Sequence, residues 1–279
     1  GRVTTPLETY RDLHSLFDYV MSIVSARIEG NHTTIYEALS QDSHDSQSPG
    51  GDHLKEITNI MKAARYIDSR DPLAPLTHEF IRELHLTTVD GLRREGDPNP
   101  GWYRQVEVAI TDSNHTPPPW ASVHAEMTQL LEFSNKKFPL KEQMLQVAVA
   151  HHRFAWIHPF RNGNGRVSRL FTYAMLRKTI FSTQGYSALN PTSVFGNSRT
   201  DYIAALIEAD SLSHDGTVAW ATFFARGIRD DIERVITLQD QNFVAKNLIL
   251  PTLEGLVADR IIGRETAEIL SAVFNKGVV

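Results

Sequence analysis

The stretch IHPFRNGNGRVSRLF, residues 157–171, combines a histidine, a glycine-rich turn and three arginines. Proline disfavours helical geometry in the residue before it, so we expect the helix that precedes Pro159 to end at His158. The glycines of the turn at 163–165 allow a close approach of backbone N–H groups to a ligand. A second helix then begins in this turn, and a helix N-terminus favours an anion. The stretch therefore predicts two helices joined by an anion-binding loop.

The charged side chains of this stretch favour a phosphate site. Arg166 and Arg169 are three residues apart, which predicts that both project from the same side of the second helix. Guanidinium groups suit phosphate oxygens, and His158 is a candidate general base near neutral pH. Each feature alone is usually structural, but their combination favours catalysis. The P-loop pattern is absent, and Ser168 stands three residues after Gly165, so the dinucleotide fingerprint is absent too.

Two kinds of metal or redox site are not expected. His151, His152 and His158 lack the spacing of a zinc-binding helix pair, and no carboxylate flanks them. The chain has no cysteine, which excludes disulfides, thiolate nucleophiles and cysteine zinc sites.

Composition sets the broad class. The 279 residues are 41% hydrophobic and 22% charged, which is typical of a globular protein with a full core. A net charge of −5 argues against nucleic-acid binding over the whole surface. No apolar run approaches the roughly 20 residues that span a bilayer, and the first residues lack the apolar core of a signal peptide. We therefore expect a cytoplasmic protein with no membrane partner.

Helical periodicity dominates the chain. It predicts helices at 7–29, 53–68, 76–90, 120–135, 140–157, 164–180, 199–210 and 217–238, with two more between 244 and 279. The sequence VEVAI, residues 106–110, instead alternates apolar and other residues as a short strand does, between turn residues and a proline run. The pattern predicts an all-α fold with one β-hairpin.

The motif HPFRNGNGRVSR resembles the signature of Fic-domain proteins, HPFx(D/E)GN(G/K)RxxR, at every fixed position except Asn162. The segment that begins GWYRQVEVAI resembles the family's target-binding flap, and NSRTDYIAALIEAD resembles the helix that closes its nucleotide pocket. The resemblance covers roughly residues 15–235. It implies a Fic-type helical bundle with one β-hairpin flap over residues 1–240, followed by a C-terminal helical extension at 241–279.

The resemblance implies a protein adenylyltransferase (AMPylator) that moves AMP from ATP to a Ser, Thr or Tyr hydroxyl of a target protein. His158 would take the hydroxyl proton, Arg166 would contact the phosphates, and Arg169 would hold the γ-phosphate. Phe160 would pack under the loop. The nucleotide-binding residues that the family implies are Asn162, Gly163, Asn164, Gly165, Arg166, Arg169, Tyr202, and Ile110 and Thr111 of the flap.

The segment SARIEGNHTTIYEAL, residues 25–39, resembles the family's inhibitory motif (S/T)xxxE(G/N), with Ser25, Glu29 and Gly30 in place. The resemblance implies that Glu29, in an inhibitory helix over about 7–30, pairs with Arg169 and blocks the γ-phosphate. A carboxylate at a helix C-terminus is mildly unfavourable, and a bidentate ion pair would offset this.

Two departures from the family pattern leave alternatives open. The family's acidic Mg²⁺ ligand is Asn162 here, and an amide oxygen should bind Mg²⁺ more weakly, with Mn²⁺ as an alternative metal. Asp210 stands where close relatives can carry an asparagine. Transfer of another phosphate-containing group therefore stays open. Removal of AMP, for which some relatives use the same glutamate as Glu29, and nucleotide sensing by a regulatory protein also stay open.

The expected partners follow from the same resemblance. A target segment would pair with the main chain of the flap, and the protein itself could be a target. A homodimer is also open. The region 253–277 could begin a helix-turn-helix module, but it has no basic stripe. We therefore read it as a helical extension and expect no nucleic-acid partner.

Overall fold

The fold is built around two helices, Leu140–Ile157 and Asn164–Lys178, which pack on each other on either side of the glycine-rich turn. The second of them has buried residues on every side from Val167 to Arg177. A helix that is buried all round lies in the centre of a bundle. The residues around the turn are therefore held by the best-packed part of the protein.

The computed structural model describes residues 7–34, 49–110, 115–180, 191–238 and 245–276. In chain order, its helices are α1 Leu7–Ile28, α2 Pro49–Ser69, α3 His78–Val89, α4 Val123–Asn135, α5 Leu140–Ile157, α6 Asn164–Lys178, α7 Pro191–Gly196, α8 Arg199–Ala209, α9 His214–Leu238, α10 Leu250–Ala258 and α11 Arg264–Lys276. A 3₁₀ turn, Trp120–Ser122, precedes α4, and a π turn, Ala245–Ile249, precedes α10.

The predicted helices are present, with small shifts at their ends. α5 has the predicted bounds, whereas α9 begins at His214 instead of 217. The earlier start has a local cause, because the Ser213 hydroxyl accepts a hydrogen bond from the N–H of Gly216 at 3.1 Å and so caps the first turn. The short helix α7 was not predicted.

The C-terminus of α1 forms a Schellman motif. Gly30 has φ +97°, the N–H of Asn31 donates to the carbonyl of Ala26 at 3.1 Å, and the N–H of Gly30 donates to Arg27 at 3.0 Å. The predicted helix stop at Gly30 is therefore present. This cap fixes the direction in which Glu29, the residue before Gly30, leaves the helix.

The predicted β-hairpin flap is not seen in the described residues. Residues 107–110 form no strand, and residues 111–114, with Thr111, lie outside the described residues. An isolated two-stranded hairpin is marginally stable. Here the segment is held by Arg104, whose guanidinium donates to the carbonyl of Val106 at 3.1 Å.

The chain divides into two compact units, Gly1–Ile228 and Arg229–Val279. In the second unit α10 and α11 pack on each other, and the π turn packs on both. The boundary between these two units falls inside α9. The domain boundary that the sequence predicts, between residues 240 and 241, remains a prediction. None of the described helices carries an apolar stretch of the length that a bilayer crossing requires.

Candidate active site

A cavity of about 460 Å³ lies at the N-terminus of α6. Its walls come from the turn before α6, the C-terminal end of α1, the segment before residue 111 and one face of α8. The predicted site residues that line it are Glu29, Ile110, His158, Asn162, Gly163, Asn164, Gly165, Arg169 and Tyr202. The fold therefore brings together residues that are up to about 170 positions apart in the chain.

The turn is closed by a side chain of its own. The amide oxygen of Asn164 accepts the N–H of Phe160 at 2.9 Å, and its NH₂ group donates to the Phe160 carbonyl at 2.9 Å. Gly163 has φ +76°, and a Cβ at this position would lie 2.8 Å from Val89. Both the conformation and the lack of space therefore require glycine here.

His158 is the C-cap residue of α5 and has a left-handed backbone conformation, with φ +51°. Its carbonyl accepts a hydrogen bond from the guanidinium of Arg104 at 2.8 Å, and the N–H of Arg104 donates to Pro159 at 2.8 Å. Burial, with a smaller contribution from the charge of Arg104, lowers the pKa of His158 to about 4. The imidazole is therefore neutral near pH 7, the state that a proton acceptor requires.

Arg169 is bound by the two residues of the inhibitory motif. Its Nη2 lies 2.7 Å from Oε1 of Glu29, its Nε donates to the hydroxyl of Ser25 at 2.9 Å, and Nη2 also donates to the Ser25 carbonyl at 3.0 Å. Burial opposes the charge of Glu29, but Arg169, Arg166 and Arg199 outweigh it and hold the pKa of Glu29 below its ordinary value. The Arg169 side chain is 1% exposed and the Glu29 side chain is 30% exposed, so a buried guanidinium meets a carboxylate that is open to the cavity.

Arg166 does not project to the same side as Arg169, contrary to the sequence prediction. Its guanidinium is 1% exposed and lies 2.9 Å from Oε1 of Glu56, and its Nη2 donates to the carbonyl of Glu95 at 2.8 Å. Buried charge requires a partner, and α2 supplies this one. Arg166 therefore faces α2 rather than the cavity.

The carboxamide of Asn162 is held by backbone groups. Its amide oxygen accepts the N–H of Gly163 at 2.7 Å, and its NH₂ group donates to the carbonyl of Gly96 at 3.2 Å. Both ends of the carboxamide are thus engaged by backbone. Across the described ranges, no group of three or more His, Asp or Glu side chains is arranged to hold a metal ion.

Two residues of α8 reach the far wall of the cavity. Tyr202 is 4% exposed, and its hydroxyl lies 2.9 Å from Nε2 of His151. Asp210, at the end of α8, lies with Oδ1 3.1 Å from Nε2 of His152. These pairs give both histidines of α5 hydrogen-bond partners on α8.

Several residues that shape the site were missed from the sequence. Arg104 anchors the flap segment, Glu56 binds Arg166, and Asp97 accepts the N–H groups of Arg161 and Asn162 at 3.1 and 3.0 Å. The only local signal was the turn-rich EGDPNPG stretch, residues 95–101, which predicts a loop but not its partner.

The fold and the cavity define a helical protein in which a neutral imidazole, a helix N-terminus and a buried guanidinium share one cavity. Residues 75–176 match the model of the Fic/DOC family, and the chain is a member of this family of Fic-domain proteins.

Curated relatives with the name Protein adenylyltransferase Fic support the assignment. The protein from Nematostella vectensis is 26% identical over 194 residues, 67% of this chain and 42% of its own length. The protein from Drosophila grimshawi is 30% identical over 227 residues, 77% of this chain and 41% of its own length. The chain thus spans about two fifths of the length of these relatives.

Solved structures share the fold. A Fic family protein from Desulfovibrio desulfuricans has a TM-score of 0.66 at 22% identity, covering 81% of this chain and 68% of that chain. A Fic domain containing signaling protein from Bacteroides thetaiotaomicron has a TM-score of 0.64 at 19% identity, covering 81% and 88%. At this identity the likeness establishes the fold alone.

Proposed function

We propose that the protein is an autoinhibited protein adenylyltransferase, which transfers AMP from ATP to a Ser, Thr or Tyr hydroxyl of a target protein. The observation that carries the proposal is the placement of His158 and Arg169 in one cavity at the N-terminus of α6. When a hydroxyl attacks a phosphate, the reaction requires a base for the proton and an anion-binding group for the phosphate charge.

The reaction can be written for these residues. The target hydroxyl oxygen attacks the α-phosphorus of ATP, His158 accepts the hydroxyl proton, and the bond to the β-phosphate breaks, so that diphosphate leaves. Backbone N–H groups of the turn at 163–165 and the dipole of α6 stabilise the charge on the phosphate oxygens. A bound Mg²⁺ or Mn²⁺ would neutralise further phosphate charge.

Glu29 supports the inhibitory part of the proposal. Its carboxylate takes the Arg169 guanidinium that would otherwise bind the γ-phosphate, and it lies where a side chain at Gly165 would project. A carboxylate at this point repels a polyphosphate and occupies its space at once. We therefore propose that Glu29 keeps ATP from binding in the orientation that allows transfer.

The names of the curated relatives support AMP transfer as the reaction. Because the chain spans about two fifths of their length, their targets and assemblies do not carry over. The flap segment before residue 111 lines the cavity through Ile110 and supports a proposal that the target segment enters from this side.

The test compares Glu29→Gly with wild type, using labelled ATP with Mg²⁺ or Mn²⁺ and mass spectrometry of the protein itself and of lysate proteins. We expect transfer to rise about tenfold or more, since the variant frees Arg169 for the γ-phosphate, and a gain of about 1.4 kcal/mol corresponds to one decade in binding. Arg27→Gly is the matched control, because it introduces glycine into the same helical turn at an exposed position. The double variant Glu29→Gly, His158→Ala should lose transfer.

The alternatives give different results in the same assay. Removal of AMP from a modified target by wild type, without addition by Glu29→Gly, would identify a de-AMPylating enzyme. ATP binding without any transfer by Glu29→Gly would identify a nucleotide-sensing protein. Transfer of another phosphate-containing group would show as a different mass increment. Each of these results would overturn the proposed reaction.

A further inference from the structure

Hydrogen bonds join the loop at residues 95–97 to the signature loop, residues 158–163, between α5 and α6. The carboxylate of Asp97 accepts the N–H groups of Arg161 and Asn162 at 3.1 and 3.0 Å. The carbonyl of Gly96 accepts the NH₂ group of Asn162 at 3.2 Å. These contacts hold the backbone that follows Glu95 close to the loop that contains Asn162.

Glu95 is fixed on its own carbonyl as well. Nη2 of the buried Arg166 donates to this carbonyl at 2.8 Å. The carboxylate of Glu95 is 43% exposed, lies 3.6 Å from Arg166 at Oε2, and lines the cavity together with Asn162 and Gly163. A partly exposed carboxylate on a fixed backbone can meet an incoming cation.

The other carboxylates that line the cavity are in short contacts. Glu29 is 2.7 Å from Arg169, and Asp210 is 3.1 Å from His152. Among the lining residues in the described part of the chain, Glu95 is therefore the carboxylate without a contact below 3.6 Å. It lies beside Asn162, whose carboxamide is engaged by backbone at both ends.

We propose that Glu95 supplies the metal-binding carboxylate that position 162 lacks, and that it holds a divalent cation against the nucleotide phosphates. The inference rests on the proposed function, in which the cavity takes a nucleoside triphosphate. Mg²⁺ is usually bound by one or two carboxylates together with substrate phosphates and water, so a single side chain on this loop is sufficient.

The charge of Glu95 makes the proposal testable by its sign. Without a metal, a carboxylate beside a triphosphate repels it. With a divalent cation between them, the same carboxylate attracts the complex. Glu95 should therefore weaken metal-free nucleotide binding and strengthen metal-dependent binding, whereas a residue that only maintains the loop would affect both in the same direction.

The experiment uses the full chain with Glu29→Gly, so that Arg169 is free to bind phosphate. Calorimetry measures binding of a non-hydrolysable ATP analogue with EDTA and with Mg²⁺, and electron paramagnetic resonance measures Mn²⁺ affinity in the ternary complex. The variants are Glu95→Gln, Asn162→Asp, and both together. Glu83→Gln is the control, since Glu83 is an exposed carboxylate of α3.

We expect Glu95→Gln to weaken Mn²⁺ affinity about tenfold and to strengthen metal-free analogue binding severalfold. Asn162→Asp should restore Mn²⁺ affinity in the Glu95→Gln protein. If Glu95→Gln binds the analogue and its Mn²⁺ affinity equals that of Glu83→Gln, this inference is overturned and the proposed function stands. If no variant binds the analogue under either condition, the proposed function fails and this inference fails with it.

Discussion

The Glu29 carboxylate and the Arg169 guanidinium meet at 2.7 Å although 140 residues separate them in the chain. The contact joins the last turn of α1 to the first turns of α6. Glu29 is in an unfavourable position with respect to the dipole of its own helix, and the ion pair offsets that cost. The Schellman cap at Gly30 and the bond from Arg199 to the Ile28 carbonyl, 2.8 Å, hold the end of α1 in place.

Ser25→Ala should release Arg169 in part. The hydroxyl of Ser25 accepts the Nε hydrogen bond of Arg169 at 2.9 Å, and Ser25 is 1% exposed. A buried hydrogen bond to a charged group is worth about 1.5–3 kcal/mol, so the variant should be less stable by about this amount. Nucleotide affinity, measured by calorimetry, should lie between those of wild type and Glu29→Gly.

Ser22→Ala is the matched control for this prediction. Ser22 is also buried on α1, but its hydroxyl donates to the carbonyl of Asp18 at 2.7 Å and does not contact Arg169. It should leave nucleotide affinity unchanged. Equal affinities in Ser25→Ala and Ser22→Ala would contradict a role of Ser25 in holding Arg169.

The transfer rate should not depend on pH in the way that a histidine with an ordinary pKa would cause. Burial lowers the pKa of His158 to about 4, so its imidazole is neutral from pH 6 to 8 and the rate should be flat with respect to this group. A histidine with the ordinary pKa of about 6.5 would instead give a rise of about fourfold over this range. Single-turnover rates of Glu29→Gly across this range measure the difference.

Nuclear magnetic resonance titration of the His158 ring provides an independent check on that profile. The ring carbon and nitrogen shifts should stay constant down to pH 6. A midpoint near pH 6.5 would contradict the lowered pKa of this ring.

Glu56→Ala should destabilise the protein by about 3–5 kcal/mol, because it leaves a buried guanidinium without its short carboxylate contact. Glu56 is 2% exposed, lies 2.9 Å from Arg166 at Oε1, and accepts the NH₂ group of Asn31 at 2.8 Å through Oε2. Urea unfolding at pH 7 measures the loss. The control is Glu132→Ala on an exposed face of α4, and a similar small loss in both variants would contradict the prediction.

Much of the site could be predicted because its parts are local in sequence. The bounds of α5 follow from Pro139 before it and Pro159 after it, and the glycine turn lies in the same stretch. The pairing of Arg166 with Glu56, 110 residues away, could not be predicted. Periodicity tells which face of a helix is buried but not which carboxylate meets which guanidinium. The hairpin is not seen in the described residues, and alternation alone does not reveal whether a strand has a partner.

The stability of the protein should fall in mild acid through His85. Its ring is fully buried, Nδ1 accepts the N–H of Gly101 at 2.9 Å, and Nε2 lies 3.2 Å from the carbonyl of Asn162, which requires the neutral ring with its proton on Nε2. The ring stacks on Phe160 with centroids 3.7 Å apart, directly under the signature loop. Burial lowers the pKa of His85 to about 4, although Asp97 opposes the shift.

The sign follows from proton binding. Below about pH 6.5 the unfolded chain binds a proton at this histidine and the folded protein does not, down to about pH 4, so stability is complete above pH 6.5 and falls below it. The slope from this group is about 1.4 kcal/mol per pH unit. Because His151 and His158 also have lowered pKa values, the measurement is the difference in slope between wild type and His85→Asn, from urea unfolding at pH 7, 6 and 5. We expect the variant to be less stable at pH 7 but to lose less stability on acidification, and parallel slopes in the two proteins would show that His85 is protonated in the folded state.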